Sequence, residues 1–236
     1  MTLLGRSTAP DPGAELGART APWRLTTWLT LVSILVAISY AARASAGAPD
    51  RDVLYKVGTG VGTIIQDAIL LAIVLAAALA AGGSAKLVAL RHPPSWWRAL
   101  GLALLVLVAV AAINAGLEAL LHAGKEQGLT PDRWDPTRSG AYTFNFVVIA
   151  AFVPLVEEIT WRGVGYSLLS RFGTPVAMVG TALAFTLAHG LVNGIPALFI
   201  FGLGLAYLRQ RTGSIYPGIA VHAAFNAISL VAAVTT

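Results

Sequence analysis

Seven long apolar segments, separated by short polar or Gly- and Pro-containing stretches, follow each other along the sequence. A helix needs about 20 predominantly apolar residues to cross the hydrocarbon core of a bilayer, and most of these segments approach that length. The pattern predicts an all-α fold, a polytopic transmembrane helical bundle of about seven spans. The predicted spans are 23–42, 61–82, 97–121, 142–170, 175–192, 194–209 and 214–234.

The stretches outside the spans indicate how the chain is organised. Residues 1–22 are rich in Gly, Ala and Pro and predict a flexible amino-terminal tail. Because the first apolar stretch starts only after this tail, we interpret it as a retained helix and not as a signal peptide. No repeat or soluble domain stands out. We therefore divide the rest into amino-terminal transmembrane helices over 23–96 and a helical bundle over 97–236.

Composition supports a lipid environment. Hydrophobic residues make up 56% of the 236 residues and charged residues only 11%, whereas a soluble domain carries about 25% charged residues. The sequence has no Cys, which excludes disulfides, thiolate metal sites and cysteine nucleophiles. The net charge of +5 is explained by asymmetry between loops and does not indicate nucleic-acid binding.

The distribution of basic residues predicts the orientation in the membrane. Seven spans place the two ends of the chain on opposite sides. With the amino terminus in the cytoplasm, the inner segments carry nine Lys and Arg residues and the outer segments six, in agreement with the positive-inside rule. We therefore expect an integral protein of the cytoplasmic membrane with a cytoplasmic amino terminus. The Ala-, Gly- and Arg-rich composition is typical of a prokaryotic source.

Three charged residues lie inside the fourth predicted span. An ionisable side chain at the centre of a span costs at least about 2.5–3.5 kcal/mol, so Glu157, Glu158 and Arg162 need a reason to be there. Glu158 and Arg162 are four residues apart and can pair on one helix face. Glu157 points about 100° away from Glu158 and has no partner nearby in sequence. Such a carboxylate suits general-base chemistry; the structural alternative is an ion-pair network that holds the bundle together.

Two histidines and an asparagine lie in later spans. Glu157 and His189 are each 14 residues from the turn at 171–175, so in an antiparallel hairpin both lie about 21 Å from it, at the same depth. His222 and Asn226 are four residues apart and project from one helix face. They can act as donors to a developing oxyanion, or they can hydrogen-bond between helices as structural contacts.

The other intramembrane polar residues give weaker signals. Asp67 lies in the second span, and Asn114 and Glu118 form a stripe in the third. We predict structural or cavity-lining positions for all three. The His-Glu-x-x-His and Gly-x-Ser-x-Gly motifs are absent, which argues against a zinc protease of the soluble type and against a serine hydrolase.

The polar residues of the later spans form three motifs in this order: Glu157-Glu158-x-x-x-Arg162, Phe185-x-x-x-His189 and His222-x-x-x-Asn226. This combination resembles the CPBP family, the CAAX protease and bacteriocin-processing family of intramembrane proteases. The resemblance extends over roughly residues 100–235. It implies an intramembrane endopeptidase that hydrolyses a peptide bond of a membrane-associated or transmembrane peptide or protein.

The resemblance also implies roles for these residues. Glu157, helped by His189, would activate the attacking water, and His222 and Asn226 would stabilise the oxyanion of the tetrahedral intermediate. The remaining motif residues would orient the site or pack beside it: Glu158, Arg162 and Phe185.

Alternatives to this mechanism and function stay open. The family has also been described as metalloproteases, and Glu157, His189 and His222 could then supply three ligands to Zn²⁺. We favour direct water activation without a cofactor, because Arg162 is close, Cys is absent and the sequence names no outer hydrogen-bond partner for a zinc-bound histidine. A non-catalytic membrane scaffold or bacteriocin-immunity protein would use the same polar cluster structurally. A transporter is the third alternative, and the concentration of polar residues in one half of the chain argues against it.

Overall fold

The computed structural model describes residues 21–47, 50–80, 84–121, 126, 128, 129, 131 and 133–235. The predicted flexible tail, residues 1–22, lies outside the described residues except for its last two. Throughout the described part the regular secondary structure is helical, without a strand. The prediction of an all-α fold is confirmed.

Seven main helices make up the described part of the chain: α1 (Pro22–Ser45), α2 (Val57–Leu79), α3 (Trp96–Leu121), α4 (Pro136–Phe172), α5 (Thr174–Ala188), α6 (Ile195–Thr212) and α7 (Tyr216–Thr235). Short 3₁₀ turns lie before α2 (Val53–Tyr55) and before α3 (Ala85–Val88). Each predicted span corresponds to one helix. By length and composition, α1, α2, α3, α4 and α7 can cross a membrane; α5 is apolar but has only 15 residues.

The outer surface of the bundle is apolar. On α3, for example, Leu104, Leu105 and Val108 are 63%, 64% and 58% exposed. Soluble monomers rarely expose contiguous apolar patches larger than a few hundred Å², and here the exposed apolar residues recur on several long helices. The chain is therefore an integral membrane protein whose surface is covered by lipid.

Helix α4 departs from regular α-helical geometry. Two of its segments, Val148–Phe152 and Ile159–Gly165, are π-helical, and the α-helical stretch Val153–Glu158 lies between them. Pro154 explains the first π-helical segment, because proline has no N–H to donate to the carbonyl of Ala150 and its ring crowds that carbonyl. A wider turn relieves this crowding. Wide turns of this kind are frequent at functional sites. Glu157 and Glu158 lie between the two π-helical segments.

The second π-helical segment presents backbone carbonyls to neighbouring helices. The Thr160 carbonyl accepts a hydrogen bond from Trp28 Nε1 on α1 at 3.1 Å. The Arg162 carbonyl accepts one from Arg209 Nε on α6, also at 3.1 Å. These two bonds attach α1 and α6 to the middle of α4.

Helix α5 ends at Ala188, four residues before the end of the predicted span. Ser39 Oγ on α1 donates a hydrogen bond to the Ala188 carbonyl at 2.7 Å. Gly190 has a φ of +66°, and a Cβ at this position would lie 2.9 Å from the Ser39 side chain and backbone. The close approach of α1 thus requires a glycine after the helix end, and it places His189 at the C-cap of α5.

Candidate functional site

A fully buried ion pair lies inside the bundle. Glu158 and Arg162 have fully buried side chains, and Arg162 Nη1 lies 2.9 Å from Glu158 Oε1, as their spacing predicts. Arg162 Nη2 donates a hydrogen bond to the Gly202 carbonyl on α6 at 3.0 Å. The guanidinium carbon lies 4.5 Å from the centroid of the Phe185 ring on α5. Arg162 therefore connects α4 with α5 and α6.

The same oxygen of Glu158 orients His222 on α7. His222 Nδ1 lies 3.2 Å from Glu158 Oε1, and an ionised carboxylate only accepts hydrogen bonds, so the ring nitrogen is the donor. The rings of Phe185 and Phe201 meet the His222 ring edge to face, with centroids 5.9 and 5.0 Å away. A Cβ on Gly218 would lie 2.7 Å from Glu158 Oε2. Only glycine therefore allows α7 to approach this closely and bring His222 to the carboxylate.

Glu157 lies between the two histidines. Glu157 Oε1 is 3.7 Å from His189 Nε2, and Glu157 Oε2 is 3.5 Å from His222 Nε2. The predicted equal depth of Glu157 and His189 is confirmed by this contact. Both distances exceed the usual length of a hydrogen bond, and Oε2 is buried without a hydrogen-bond partner. The three groups thus converge without being bonded directly to one another.

His189 is held by the nitrogen that faces away from Glu157. Its Nδ1 lies 2.7 Å from the Phe185 carbonyl, and because a carbonyl cannot donate, Nδ1 carries the hydrogen. In the neutral ring the lone pair is then on Nε2, the nitrogen directed at Glu157. The His189 side chain is 24% exposed and the His222 side chain only 3%, so His189 is on the open side of the group.

Asn226 is placed apart from the carboxylates. Its Nδ2 donates a hydrogen bond to the Ile149 carbonyl at 2.9 Å, within the first π-helical segment of α4. The structure thus brings Glu157, His189 and His222 together and places Asn226 one turn further along α7. An amide nitrogen carries two hydrogens, so the N–H that is not directed at Ile149 can be donated to a ligand.

The arrangement bears on the zinc alternative in two ways. Both histidines have an outer partner for Nδ1, namely the Phe185 carbonyl and the Glu158 carboxylate. The sequence names no such partner, and the structure supplies one for each histidine. Among the residues that the structure describes, however, no three His, Cys, Asp or Glu side chains are arranged to hold one metal ion. Activation of water by side chains without a metal ion stays a prediction.

A cavity of about 280 Å³ opens beside Glu157. Helices α1, α2, α4 and α5 form its walls, and its polar lining comprises Ser39, Gln66, Asp67, Glu157 and His189. The prediction that Asp67 is structural or cavity-lining is thus confirmed, because Asp67 lines this cavity. Asn114 is not part of this lining, and the Glu118 side chain lies outside the described residues. Gln66 and Trp161 also line the cavity; nothing in their sequence context indicates this, because it depends on how α2 packs against α4.

A comparison with protein families gives a match in the carboxy-terminal part of the chain. Residues 139–228 match the family model described as type II CAAX prenyl endopeptidase Rce1-like. The matched segment is less than half of the chain and contains all seven residues of the three motifs. The resemblance to the CAAX protease family is confirmed, and a protease function, that is a hydrolase, is supported. Comparisons with curated proteins and with solved structures give no match.

Proposed function

We propose that the protein is an intramembrane endopeptidase that hydrolyses a peptide bond of a membrane-associated or transmembrane substrate. One observation carries this proposal: the Glu157 carboxylate lies between the Nε2 atoms of His189 and His222, at 3.7 and 3.5 Å, beside a cavity inside the helical bundle. A carboxylate and two imidazoles at this separation suit general acid–base chemistry on a water molecule. The family match supports the same reaction class.

In the first step a water in the cavity attacks the carbonyl carbon of the substrate. Glu157 accepts one hydrogen of this water as a proton, and the lone pair on His189 Nε2 accepts a hydrogen bond from the other. The Phe185 carbonyl keeps the hydrogen of His189 on Nδ1, which keeps Nε2 available as an acceptor. A new C–O bond forms, and the carbonyl oxygen becomes an oxyanion.

His222 and Asn226 stabilise this oxyanion. His222 donates through Nε2 when the ring is protonated, and the Glu158 carboxylate at Nδ1 compensates the positive charge of that ring. Asn226 donates the amide N–H that is not directed at Ile149. Donors aimed at the developing charge contribute more than contacts to the ground state. The C–N bond then breaks, and Glu157 returns its proton to the leaving nitrogen, so the products are a carboxylic acid and an amine.

Glu158 and Arg162 act on this chemistry through other residues. Glu158 holds His222 through Nδ1, and Arg162 holds Glu158 through Nη1 while its Nη2 donates a hydrogen bond to the Gly202 carbonyl. We therefore assign both as positioning residues. Phe185 supports the same group by packing its ring against the guanidinium and by giving its carbonyl to His189.

The test is cleavage of a library of membrane-spanning peptides by the purified protein in lipid nanodiscs. Glu157→Gln keeps the shape of the side chain but removes the base, and we expect cleavage to fall by at least about 10²-fold with unchanged thermal stability. Asp52→Asn is the matched control, because it makes the same carboxylate-to-amide change at a side chain that is 54% exposed. Cleavage that is equal in Glu157→Gln and the native protein would contradict the proposal. Function without any cleavage would favour the scaffold alternative.

We also propose that the protein resides in a prokaryotic cytoplasmic membrane with its amino terminus in the cytoplasm. The charge distribution supports this orientation, with nine basic residues in the inner segments and six in the outer ones. The absence of Cys permits a clean test by labelling single cysteines with a membrane-impermeant reagent. We expect Asp52→Cys, before α2, to be labelled from outside intact cells, and Ser84→Cys, after α2, to be protected. The reverse pattern would invert the topology.

A further inference from the structure

Asp67 lies on α2, outside the segment that matches the protease family, and the mechanism above does not use it. It is only 5% exposed, and its Oδ2 is buried without a hydrogen-bond partner. An acidic residue inside a membrane span is expensive and normally faces a partner or a functional cavity. Asp67 lines the same cavity as Glu157, so its partner is to be sought in what occupies that cavity.

The charge of the cavity indicates the kind of group that would be bound. Its described lining contains two acids, Asp67 and Glu157, and no Lys or Arg. The nearby Arg162 is already bonded to Glu158 and to the Gly202 carbonyl. A buried carboxylate without a cation is unfavourable, and a cationic ligand would remove that cost.

The rest of the lining fits the stem of a long cationic side chain. Leu35, Ile38 and Leu70 are apolar, and Trp161 adds an aromatic ring, a type of surface on which alkyl stems and cations pack well. Trp161 Nε1 is a second buried group without a partner, in a residue that is 2% exposed, and it can donate to a backbone carbonyl of a bound peptide. A sphere with the cavity's volume of about 280 Å³ has a diameter of about 8 Å. This diameter is comparable to the length of a lysine side chain with its four methylene groups.

We propose that Asp67 binds a lysine or arginine side chain of the substrate next to the scissile bond, with Trp161 and the apolar wall packing along its stem. This inference rests on the proposed peptidase function and deepens it, because it names a substrate class: membrane peptides with a basic residue at the cleavage position. Asp67 is here a specificity-determining residue that acts on binding and leaves the chemistry to Glu157.

The test measures binding and does not need cleavage. The full chain carrying Glu157→Gln is placed in nanodiscs, and fluorescence anisotropy measures its affinity for membrane-spanning peptides. Each peptide carries one lysine, or norleucine as the uncharged counterpart, at one position. This position, the register, is moved along the peptide sequence from one peptide to the next. We expect at least one register in which the lysine peptide binds at least about tenfold tighter than the norleucine peptide. Adding Asp67→Asn should bring that ratio close to one and leave norleucine binding unchanged.

Controls separate charge recognition from a structural role. Asp67→Glu keeps the charge and should keep the preference for lysine. If Asp67 only supported the fold, Asp67→Asn would weaken the binding of lysine and norleucine peptides equally. Equal binding of lysine and norleucine peptides in every register, or no binding of either, would overturn the proposal. Cleavage by the native protein is measured separately. If the native protein cleaves peptides without a preference for lysine, only this inference fails. If the native protein binds lysine peptides without ever cleaving them, the peptidase proposal fails instead.

Discussion

The buried pair of Glu158 and Arg162 makes a quantitative prediction about stability. Both side chains are completely buried, and Arg162 Nη1 is 2.9 Å from Glu158 Oε1. Arg162→Met keeps an apolar stem of similar volume but leaves the Glu158 carboxylate in the bundle without its cation. Breaking a buried pair from one side costs about 3–5 kcal/mol, and the lost bond to the Gly202 carbonyl is part of that change. We expect this decrease in the free energy of unfolding.

A second substitution isolates the charge as the cause. Glu158→Gln added to Arg162→Met removes the uncompensated ion, and its amide oxygen can still accept the hydrogen from His222 Nδ1. Replacing both members of a buried pair with uncharged groups is often close to neutral, so the double variant should be more stable than Arg162→Met alone by at least about 1 kcal/mol. The double variant should lose cleavage, since its uncharged amide cannot compensate the charge of a protonated His222, which the Glu158 carboxylate at Nδ1 does in the native protein.

Reversible unfolding in mixed micelles, followed by circular dichroism, measures these differences. It compares the native protein, the single variants Arg162→Met and Glu158→Gln, and the double variant. A decrease in the free energy of unfolding of less than about 1 kcal/mol in Arg162→Met would refute this prediction. A decrease in the double variant equal to the sum of the decreases in the two single variants would refute it as well. A stable double variant that still cleaves at the native rate would remove Glu158 and Arg162 from the proposed site.

Three further predictions concern the site. Gly218→Ala should destabilise the protein by about 1–3 kcal/mol and reduce cleavage, because its Cβ would lie 2.7 Å from Glu158 Oε2; unchanged thermal unfolding and activity would contradict the close contact of α7. Asn226→Ala should lower kcat about 10²–10³-fold with little change in KM, and steady-state kinetics that give only a raised KM would assign Asn226 to substrate binding. Incubation with 1,10-phenanthroline should leave the cleavage rate unchanged, whereas a loss restored by Zn²⁺ would favour Glu157, His189 and His222 as metal ligands.

The sequence is sufficient to predict those features that depend on helix geometry alone. Seven apolar segments predict seven helices, because a long apolar run in lipid has to satisfy its backbone hydrogen bonds internally. The spacing of Glu158 and Arg162 predicts their ion pair through the i, i+4 rule. Counting from the turn at 171–175 predicts that Glu157 and His189 lie at the same depth, because two antiparallel helices rise by the same distance per residue.

Features that depend on the packing of distant helices are not accessible in this way. The second π-helical segment of α4 is bonded by other helices, as in the bond from Trp28 on α1 to the Thr160 carbonyl, and Pro154 gives a local signal for the first segment only. The early end of α5 depends on Ser39 of α1 in the same way. The presence of Asp67 in the cavity beside Glu157 requires the position of α2, which carries none of the three motifs.

The central claim is that Glu157 activates the water that cleaves the peptide bond. The most direct measurement is mass spectrometry of a membrane peptide incubated in H₂¹⁸O with the native protein and with Glu157→Gln, both in nanodiscs. The account predicts that the native protein yields two fragments, of which the one with the new carboxyl terminus carries one ¹⁸O, and that Glu157→Gln yields neither fragment above background. Labelled fragments formed by Glu157→Gln at the native rate would contradict the account.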